Sequence, residues 1–285
     1  MDSLVGLARQ LQSVSDLGQL VKTLKVLAAV NLRTLAKTSE ALDAYLHNVE
    51  DGLQVALREL PEFDLGGGNT DASLKIVVFG SDHGLCGPFH HQLLQAMPDS
   101  HREIGLLCVG TRVAEAAQDS GLRVDGVLSA PTSAAALAES AQALLQKLQP
   151  LGGPVQLLYQ RTENAVFRPC QESLWPIEPE WLKQLRQRDW PAPGLPMCWG
   201  PPQPALDWLL EEHLQLACQR ALAHSLASEN QARLLTMQAA EKNLEEMRLG
   251  LQDGLRSRRQ NAVTEELLDV ISGFEMLNES LPRGV

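Results

Sequence analysis

The sequence has few aromatic residues, no closely spaced cysteine pair and no long apolar run. These absences argue against a sheet-rich protein, a disulfide-bonded protein and a membrane-spanning protein, respectively. Phe, Trp and Tyr make up 4% of the 285 residues, and the abundance of Leu, Ala, Gln and Glu favours helix over sheet. The five cysteines are odd in number and contain no C-x-x-C pair, so we expect unpaired, mostly buried thiols in a reducing compartment. No run of about 18 apolar residues exists, so we predict no membrane-spanning helix. The N-terminal segment also lacks the pattern of a signal peptide, so we expect a soluble, cytoplasmic protein.

An excess of positive charge is missing as well. Lys and Arg number 24 against 35 Asp and Glu, which gives a formal net charge of −11. A chain with this balance repels phosphate backbones, so we predict that it has no nucleic-acid partner. Hydrophobic residues make up 44% of the chain, enough for a substantial core.

Proline is absent from the first 60 residues, and small or apolar residues recur there in alternating steps of three and four. This heptad pattern predicts a coiled-coil helix. One continuous helix of that length would extend about 85 Å, which is longer than a domain core is wide, so it needs a partner helix. The predicted seam is interrupted at Gly18, Lys25 and Ser39. It consists of Leu4, Leu7, Leu11, Val14, Gly18, Val21, Lys25, Ala28, Leu32, Leu35, Ser39, Leu42, Leu46, Val49, Leu53, Ala56 and Leu60.

The C-terminal segment supplies a candidate partner, because residues 205–281 also lack proline. A helix over that range would extend about 115 Å. Its apolar seam shifts phase once, after Leu251. The pattern is poor and polar between His213 and Gln231, so we expect that part to pack differently or to kink. The seam residues are Met237, Ala240, Leu244, Met247, Leu251, Val263, Leu267, Val270, Phe274 and Leu277.

The middle of the chain alternates predicted strands and helices, which is typical of a small, mostly parallel sheet with crossover helices. Pro61 and the glycines at 66–68 predict a linker before it, and residues 169–204 are interpreted as a strand or two and an irregular connection. We therefore predict three parts: a coiled-coil helix over 1–60, a Rossmann-like α/β domain over 61–204 and a second coiled-coil helix over 205–285, antiparallel to the first. The predicted strands are Leu74–Gly80, Ile104–Gly110 and Pro154–Gln160, and the predicted helices are Phe89–Met97, Arg112–Ser120 and Ser133–Gln149.

Three separated segments carry a resemblance to a known family. In the first helix, KTLKVLAAVNLR (Lys22–Arg33) is similar to the pattern K-x-M-x-x-V-A-A-x-K-L-R. After the first strand, SDHGLCGPFH (Ser81–His90) is similar to S-D-R-G-L-C-G-x-[FY]-N. Near the C-terminus, MQAAEKN (Met237–Asn243) is similar to M-x-x-A-x-x-N, and the segment from Arg259 to Gly273 follows R-Q-x-x-I-T-x-E-L-x-E-I-x-x-G. In this order, they resemble the gamma subunit of F-type ATP synthases over nearly the whole chain. The departures suggest a divergent or alternative member; they are Asn31, His83, Pro88, His90 and Phe274.

The resemblance implies a function and a set of partners. The chain would be a non-catalytic rotor shaft that couples proton or sodium-ion flow through the membrane sector to ATP synthesis or hydrolysis on alpha and beta subunits. Its other partners would be an epsilon-type subunit and the membrane c-ring, and it would lie peripherally on the cytoplasmic face of the inner or plasma membrane. No cofactor is implied. In a shaft, the apolar stretch Val263–Leu277 would turn inside an apolar collar.

The resemblance also implies partner-binding residues near both ends of the chain. Lys22, Lys25 and Arg33 lie in a stretch without acidic residues. By themselves they indicate a solvated helix face, whereas in the family this stretch would face acidic segments of beta subunits. The resemblance also predicts hydrogen bonds to loops of the surrounding ring from four residues: Arg259, Gln260, Thr264 and Glu266.

The glycine-rich turn Gly80–Gly87 leaves an alternative open. It follows a strand and precedes a helix, where phosphates often bind. Its glycine spacing matches neither the dinucleotide fingerprint nor the P-loop, which favours a tight structural turn. The alternative functions are a nucleotide- or flavin-binding enzyme with a coiled-coil dimerisation arm, and a homodimeric coiled-coil scaffold. We predict no metal site and no catalytic triad among the candidates in and beside the turn; these are Ser81, Asp82, His83, Cys86, His90 and His91.

Overall fold

A computed structural model describes residues 4–60, 73–149, 152–163, 166–190, 193–194 and 196–279. The predicted linker at Pro61 and glycines 66–68 lies outside the described residues. The chain divides into two compact units: residues up to Val26 together with those from Leu235 onward form one, and Leu27–Leu234 form the other. The helices are α1 (Leu4–Glu59), α2 (Phe89–Gln95), α3 (Thr111–Asp119), α4 (Leu137–Leu148), α5 (Pro179–Gln187) and α6 (Pro202–Glu279), and the strands are β1 (Lys75–Phe79), β2 (Leu106–Val109), β3 (Val124–Leu128), β4 (Val155–Glu163) and β5 (Val166–Trp175).

The two long helices pair antiparallel, as the heptad pattern predicts. Within the unit Leu27–Leu234, Asn31 of α1 contacts Asn230 of α6, and further along α1 Asp43 contacts Arg220. In the other unit, Lys25 forms an ion pair with Glu241. The predicted α1 seam is confirmed, since its positions from Leu7 onward are buried or half-buried, including the three interruptions. The buried ones are Leu7, Val14, Ala28, Leu35, Leu46, Val49, Leu53 and Ala56.

The second half of the predicted α6 seam is not a coiled-coil core in this chain. Val263, Leu267 and Val270 are 56%, 58% and 65% exposed. The antiparallel pairing explains this, because Lys25 lies beside Glu241 and α1 begins at Leu4. The first residue of α1 therefore lies opposite about residue 262 of α6, and α6 continues without this partner to Glu279. The side chains of Phe274 and Leu277, also predicted for this seam, lie outside the described residues.

The sheet has the order β3-β2-β1-β4-β5, with β5 antiparallel to β4 and the other neighbours parallel. It confirms the mostly parallel α/β class. Strand β1 is covered on both faces, because successive side chains point to opposite sides. Val77 and Phe79 pack with α4 and α6, whereas Ile76 and Val78 pack with α2 and α3.

The structure adds to the predicted elements in two places. Strand β3 was not predicted, and α5 lies in the segment 169–204 that was interpreted as strand and irregular connection. Helix α5 packs Leu182 and Leu185 against α1 and the first turns of α6. Helix α6 begins at Pro202, three residues before the predicted start, as proline is tolerated in a first helical turn.

Candidate functional site

The turn after β1 is held by Asp82 against the carboxyl ends of the neighbouring strands. One carboxylate oxygen of Asp82 accepts a hydrogen bond from the amide of Thr111 at 2.8 Å. The other accepts from the amide of Ala130 at 2.9 Å. Thr111 opens α3 after β2, and Ala130 follows β3. Asp82 therefore joins three successive strand ends, and both of its oxygens are engaged in structure.

Two glycines around the turn are required by close packing. A Cβ at Gly80 would lie 2.3 Å from Cβ of Val113, and one at Gly110 would lie 2.6–2.7 Å from the backbone of Ser81. Gly110 also has φ +111°, a conformation that side-chain-bearing residues rarely adopt. These contacts support the interpretation of the segment as a tight structural turn.

The histidine that follows the turn is buried and neutral. His90 is 8% exposed, and its Nε2 lies 3.0 Å from Oγ of Ser81. The pKa of His90 is lowered to about 4, mainly by burial and to a smaller extent by the positive charges of His91, Arg112 and Arg233. The hydroxyl of Ser81 donates to the carbonyl of His83. Ser81 therefore links the buried ring of His90 to the backbone of the turn.

Helix α6 lies at the place where open α/β sheets bind ligands. In such sheets, the binding crevice lies outside the carboxyl ends of the two strands between which the strand order reverses, here β1 and β4. The hydroxyl of Ser225 on α6 donates to the carbonyl of Phe79, the last residue of β1, at 3.0 Å. The hydroxyl of Ser228 donates to the carbonyl of Gln160 on β4, also at 3.0 Å. The helix itself therefore occupies this crevice and is hydrogen-bonded to both strands.

A second attachment of α6 lies at Arg233, five residues after Ser228. Glu229 and Arg233 form an ion pair, and the Arg233 guanidinium donates to the carbonyl of Gly84 at 3.3 and 3.4 Å. The Glu229 side chain is 3% exposed and that of Arg233 is 13% exposed. Burial raises the pKa of Glu229, and Arg233 opposes that shift. Beside them, Cys86 of the turn and Phe89 of α2 pack against Ala232.

These α6 residues were not predicted, although their spacing in the sequence carries a signal. Ser225, Glu229 and Arg233 recur at intervals of four, and Ser228 lies three residues after Ser225. All but Arg233 fall within the stretch from His213 to Gln231 that was judged poor as a coiled-coil seam. Such spacing places side chains on one helix face. Polar side chains on a helix face that also carries buried apolar residues, here Ala221, Leu222 and Leu226, indicate contact with backbone groups of another element.

The predicted partner-binding residues of α1 have unequal environments. Lys22 and Arg33 are exposed. Lys25 is half-buried, and its ammonium bonds Glu241 of α6. The partner role of all three stays a prediction, with Lys25 already engaged inside the chain.

The four predicted residues of α6 lie on the exposed part of that helix. Arg259, Gln260, Thr264 and Glu266 are all exposed. Thr264 donates its hydroxyl hydrogen bond to the backbone carbonyl of Gln260 at 2.9 Å. Their role in binding partners also stays a prediction.

Within the described ranges, no three His, Cys, Asp or Glu residues are grouped so that they could hold a metal ion. Within the same ranges, no helix has the length and apolar character needed to cross a membrane. The side chains of Cys86 and His90 are close, with Sγ and Nδ1 4.0 Å apart, but His90 uses its other ring nitrogen on Ser81.

Comparisons of sequence and of fold both find similarity to proteins of ATP synthases. A family model described as ATP synthase matches residues 3–277. The chain is similar to the ATP synthase gamma chain of Lachnoclostridium phytofermentans, with 26% identity over 98% of this chain and 100% of that one. It is 28% identical to the ATP synthase gamma chain of Nostoc punctiforme, over 97% of this chain and 100% of the relative. Its fold is similar to a chain in the rotor of the Euglena gracilis mitochondrial ATP synthase, with a TM-score of 0.66, 15% identity and coverage of 91% and 98%.

Proposed function

The chain belongs to the ATP synthase family as a gamma chain, and on this premise we propose that it is the central rotor shaft, which couples ion flow through the membrane sector to ATP synthesis or hydrolysis. The ATP chemistry takes place on alpha and beta subunits around the helices. The α/β domain binds the membrane c-ring together with an epsilon-type subunit. The chain is then a peripheral, non-catalytic subunit on the cytoplasmic face of the membrane, and the ion is a proton or a sodium ion.

The observation that supports this proposal most strongly is the attachment of α6 to the sheet. A rotor has to transmit torque between its α/β domain and its long helices. Ser225 and Ser228 bond α6 to β1 and β4, and the apolar residues Ala221, Leu222 and Leu226 of the same helix pack into the core. Rotation of α6 against the sheet would break these hydrogen bonds and open that core, so the helix turns with the domain.

The same attachment argues against a nucleotide- or flavin-binding enzyme. A ligand in the usual crevice of the sheet would have to displace α6 from the carbonyls of Phe79 and Gln160. The glycine-rich turn next to it is also engaged, since the carbonyl of Gly84 accepts from Arg233 and the carboxylate of Asp82 accepts two backbone amides. These contacts favour a structural role for the turn over phosphate binding.

The exposed end of α6 provides the contacts with the catalytic subunits. A shaft changes the state of each catalytic site only through contacts that differ between its orientations. Arg259 and Gln260 supply directional hydrogen bonds, whereas exposed apolar residues such as Leu267 and Val270 contact a collar without directional bonds to break. Turning the helix presents these two kinds of surface to successive beta subunits.

The test is a double substitution, Arg259→Ala with Gln260→Ala, in a complex reconstituted with alpha, beta and the membrane sector. A hydrogen bond to a charged group contributes about 1.5–3 kcal/mol, so its loss in the rotating contact lowers the coupled ATPase rate by roughly tenfold or more. The isolated chain should remain folded, because both side chains are exposed. The matched control is Lys183→Ala with Gln184→Ala, an exposed pair of the same chemical types on α5. Equal coupled rates in the two double variants and the unaltered chain would remove the proposed role of Arg259 and Gln260.

A further inference from the structure

The ion pair between Glu229 and Arg233 lies where an unpaired charge would be costly. Its flanks are apolar, since Cys86, Phe89 and Ala232 form a buried cluster beside it. A charge in such surroundings requires compensation by an opposite charge and by hydrogen bonds. Glu229 supplies the opposite charge, and the carbonyl of Gly84 accepts from the guanidinium. Arg233 is therefore held in one orientation, with its donors directed at the turn.

The contact between Arg233 and Gly84 joins α6 to a different part of the domain than the contacts of Ser225 and Ser228 do. Ser225 and Ser228 bond strands of the sheet, whereas Arg233 bonds the turn between β1 and α2. Residues 225 and 233 are eight positions apart, which is about 12 Å along a helix axis. Two attachments at different heights resist tilting of the helix, which a single attachment does not.

The two attachments also resist rotation of α6 about its own axis. A side-chain atom about 6 Å from the axis moves roughly 2 Å when the helix turns by about 20°. Hydrogen bonds weaken steeply over such a displacement. The bonds from Arg233 to Gly84 are already 3.3 and 3.4 Å long, so a small turn of the helix in the wrong direction breaks them.

We propose that Arg233, oriented by Glu229, is a positioning residue that latches α6 to the turn at Gly84 and sets the torsional stiffness of the rotor. This inference rests on the proposed rotor function and specifies where torque passes between the α/β domain and α6. The latch acts through the position of the helix, and it touches neither nucleotide nor transported ion.

The experiment uses the complete complex, including the c-ring. The complex is fixed to a surface through its alpha and beta subunits, and a bead is attached to the α/β domain of this chain. The variants are Arg233→Gln, which removes the charge, Arg233→Lys, which retains it, and Glu229→Gln, which releases the guanidinium. The control is Arg248→Gln, because Arg248 is also on α6 but bonds Glu245 of its own helix. Two quantities are measured: the angular fluctuation of the bead while the rotor pauses, and the ions transported for each ATP hydrolysed.

Arg233→Gln is expected to broaden the angular distribution and to lose part of the ion transport for each ATP. Arg233→Lys should recover part of both losses, and Glu229→Gln should show the same defects as Arg233→Gln. Arg248→Gln should match the unaltered complex. If Arg233→Gln fails to fold, Glu229→Gln and Arg233→Lys decide the question with the same measurements.

The latch would be overturned if the variants had lowered thermal stability but the same angular distribution and the same transport ratio as the unaltered complex. Arg233 would then be a purely structural residue. That result would leave the proposed function intact, since the unaltered complex would still rotate and couple. Failure of the unaltered chain to support rotation with alpha and beta subunits would instead remove the proposed function itself.

Discussion

Acidification tests whether His90, which follows the turn, is a neutral residue of the core. The perturbation is a change from pH 7 to pH 5, which crosses the ordinary pKa of a histidine, 6.5, and stays above the value of about 4 that burial imposes on His90. The folded state binds fewer protons than the unfolded state over this range. The stabilising contribution is therefore complete above pH 6.5 and is lost as the pH falls toward 4.

The size of the loss follows from the two pKa values. At pH 5 an unfolded imidazole is almost fully protonated, while His90 in the folded chain is mostly neutral. The difference corresponds to about 2 kcal/mol at this pH. His213 adds a comparable amount, because burial lowers its pKa to about 4 as well. The two histidines together predict a loss of about 4 kcal/mol between pH 7 and pH 5.

The assay is urea denaturation of the purified chain at both pH values, followed by the loss of helical circular dichroism. His90→Gln removes the titrating ring while leaving a neutral amide near Ser81, so the loss between pH 7 and pH 5 should shrink by about 2 kcal/mol. His47→Gln is the control, since the side chain of His47 is 62% exposed. A pH dependence in His90→Gln as steep as in the unaltered chain would show that the ring is not kept neutral by the fold.

Two further substitutions test the turn and its neighbours by the same denaturation assay at pH 7. Asp82→Asn places an NH2 group opposite one of the backbone amides of Thr111 and Ala130, so it should cost about 1–3 kcal/mol; an unchanged midpoint would mean that Asp82 does not hold the strand ends. Gly110→Ala introduces a Cβ 2.6–2.7 Å from the backbone of Ser81 at φ +111°, so it should cost at least about 1–3 kcal/mol from backbone strain alone, and full stability would contradict the required close approach.

The long helices were predictable because one physical signal, the spacing of apolar residues, covers their whole length. The α1 seam matches the observed burial from Leu7 onward. The same signal misled at Val263 and Leu267, since an apolar stripe indicates a face that avoids water without indicating what covers it. Only the pairing of Lys25 with Glu241 shows that α1 has ended before α6 reaches that point.

The two missed elements are short and carry weak patterns. Strand β3 reads VDGVL, with Asp125 and Gly126 inside it, and its burial alternates between half-buried and exposed. Residues of this kind are depleted in strands, and pairing with β2 overrides that preference. Helix α5 is nine residues long, and the surrounding prolines favoured an irregular interpretation. The core formed by α1 and α6 supplies the apolar partner that such a short helix needs.

The candidate site could be predicted in part. The tight turn was recognised from its glycines, and in the structure Ser81 and Asp82 bond backbone groups of the turn and of the neighbouring strand ends. The attachment of α6 could not be derived, because hydrogen bonds to the carbonyls of Phe79 and Gln160 depend on which helix crosses the sheet and at what height. The crossing position of the helix is set by the tertiary structure. The sequence shows only that polar residues recur on one face of α6.

Helix α6 changes its chemistry along its length in a way that fits the proposed rotor role. Where it meets the sheet, Ser225, Ser228 and Arg233 make directional bonds. These fix the angle of the helix, since each has a preferred geometry and loses energy when the helix turns. Where it extends beyond α1, exposed Val263, Leu267 and Val270 offer contacts whose free energy depends on buried area and little on angle. A shaft needs the first property toward its own domain and the second toward a collar in which it turns. The opposite arrangement would let the domain slip and would hold the shaft still.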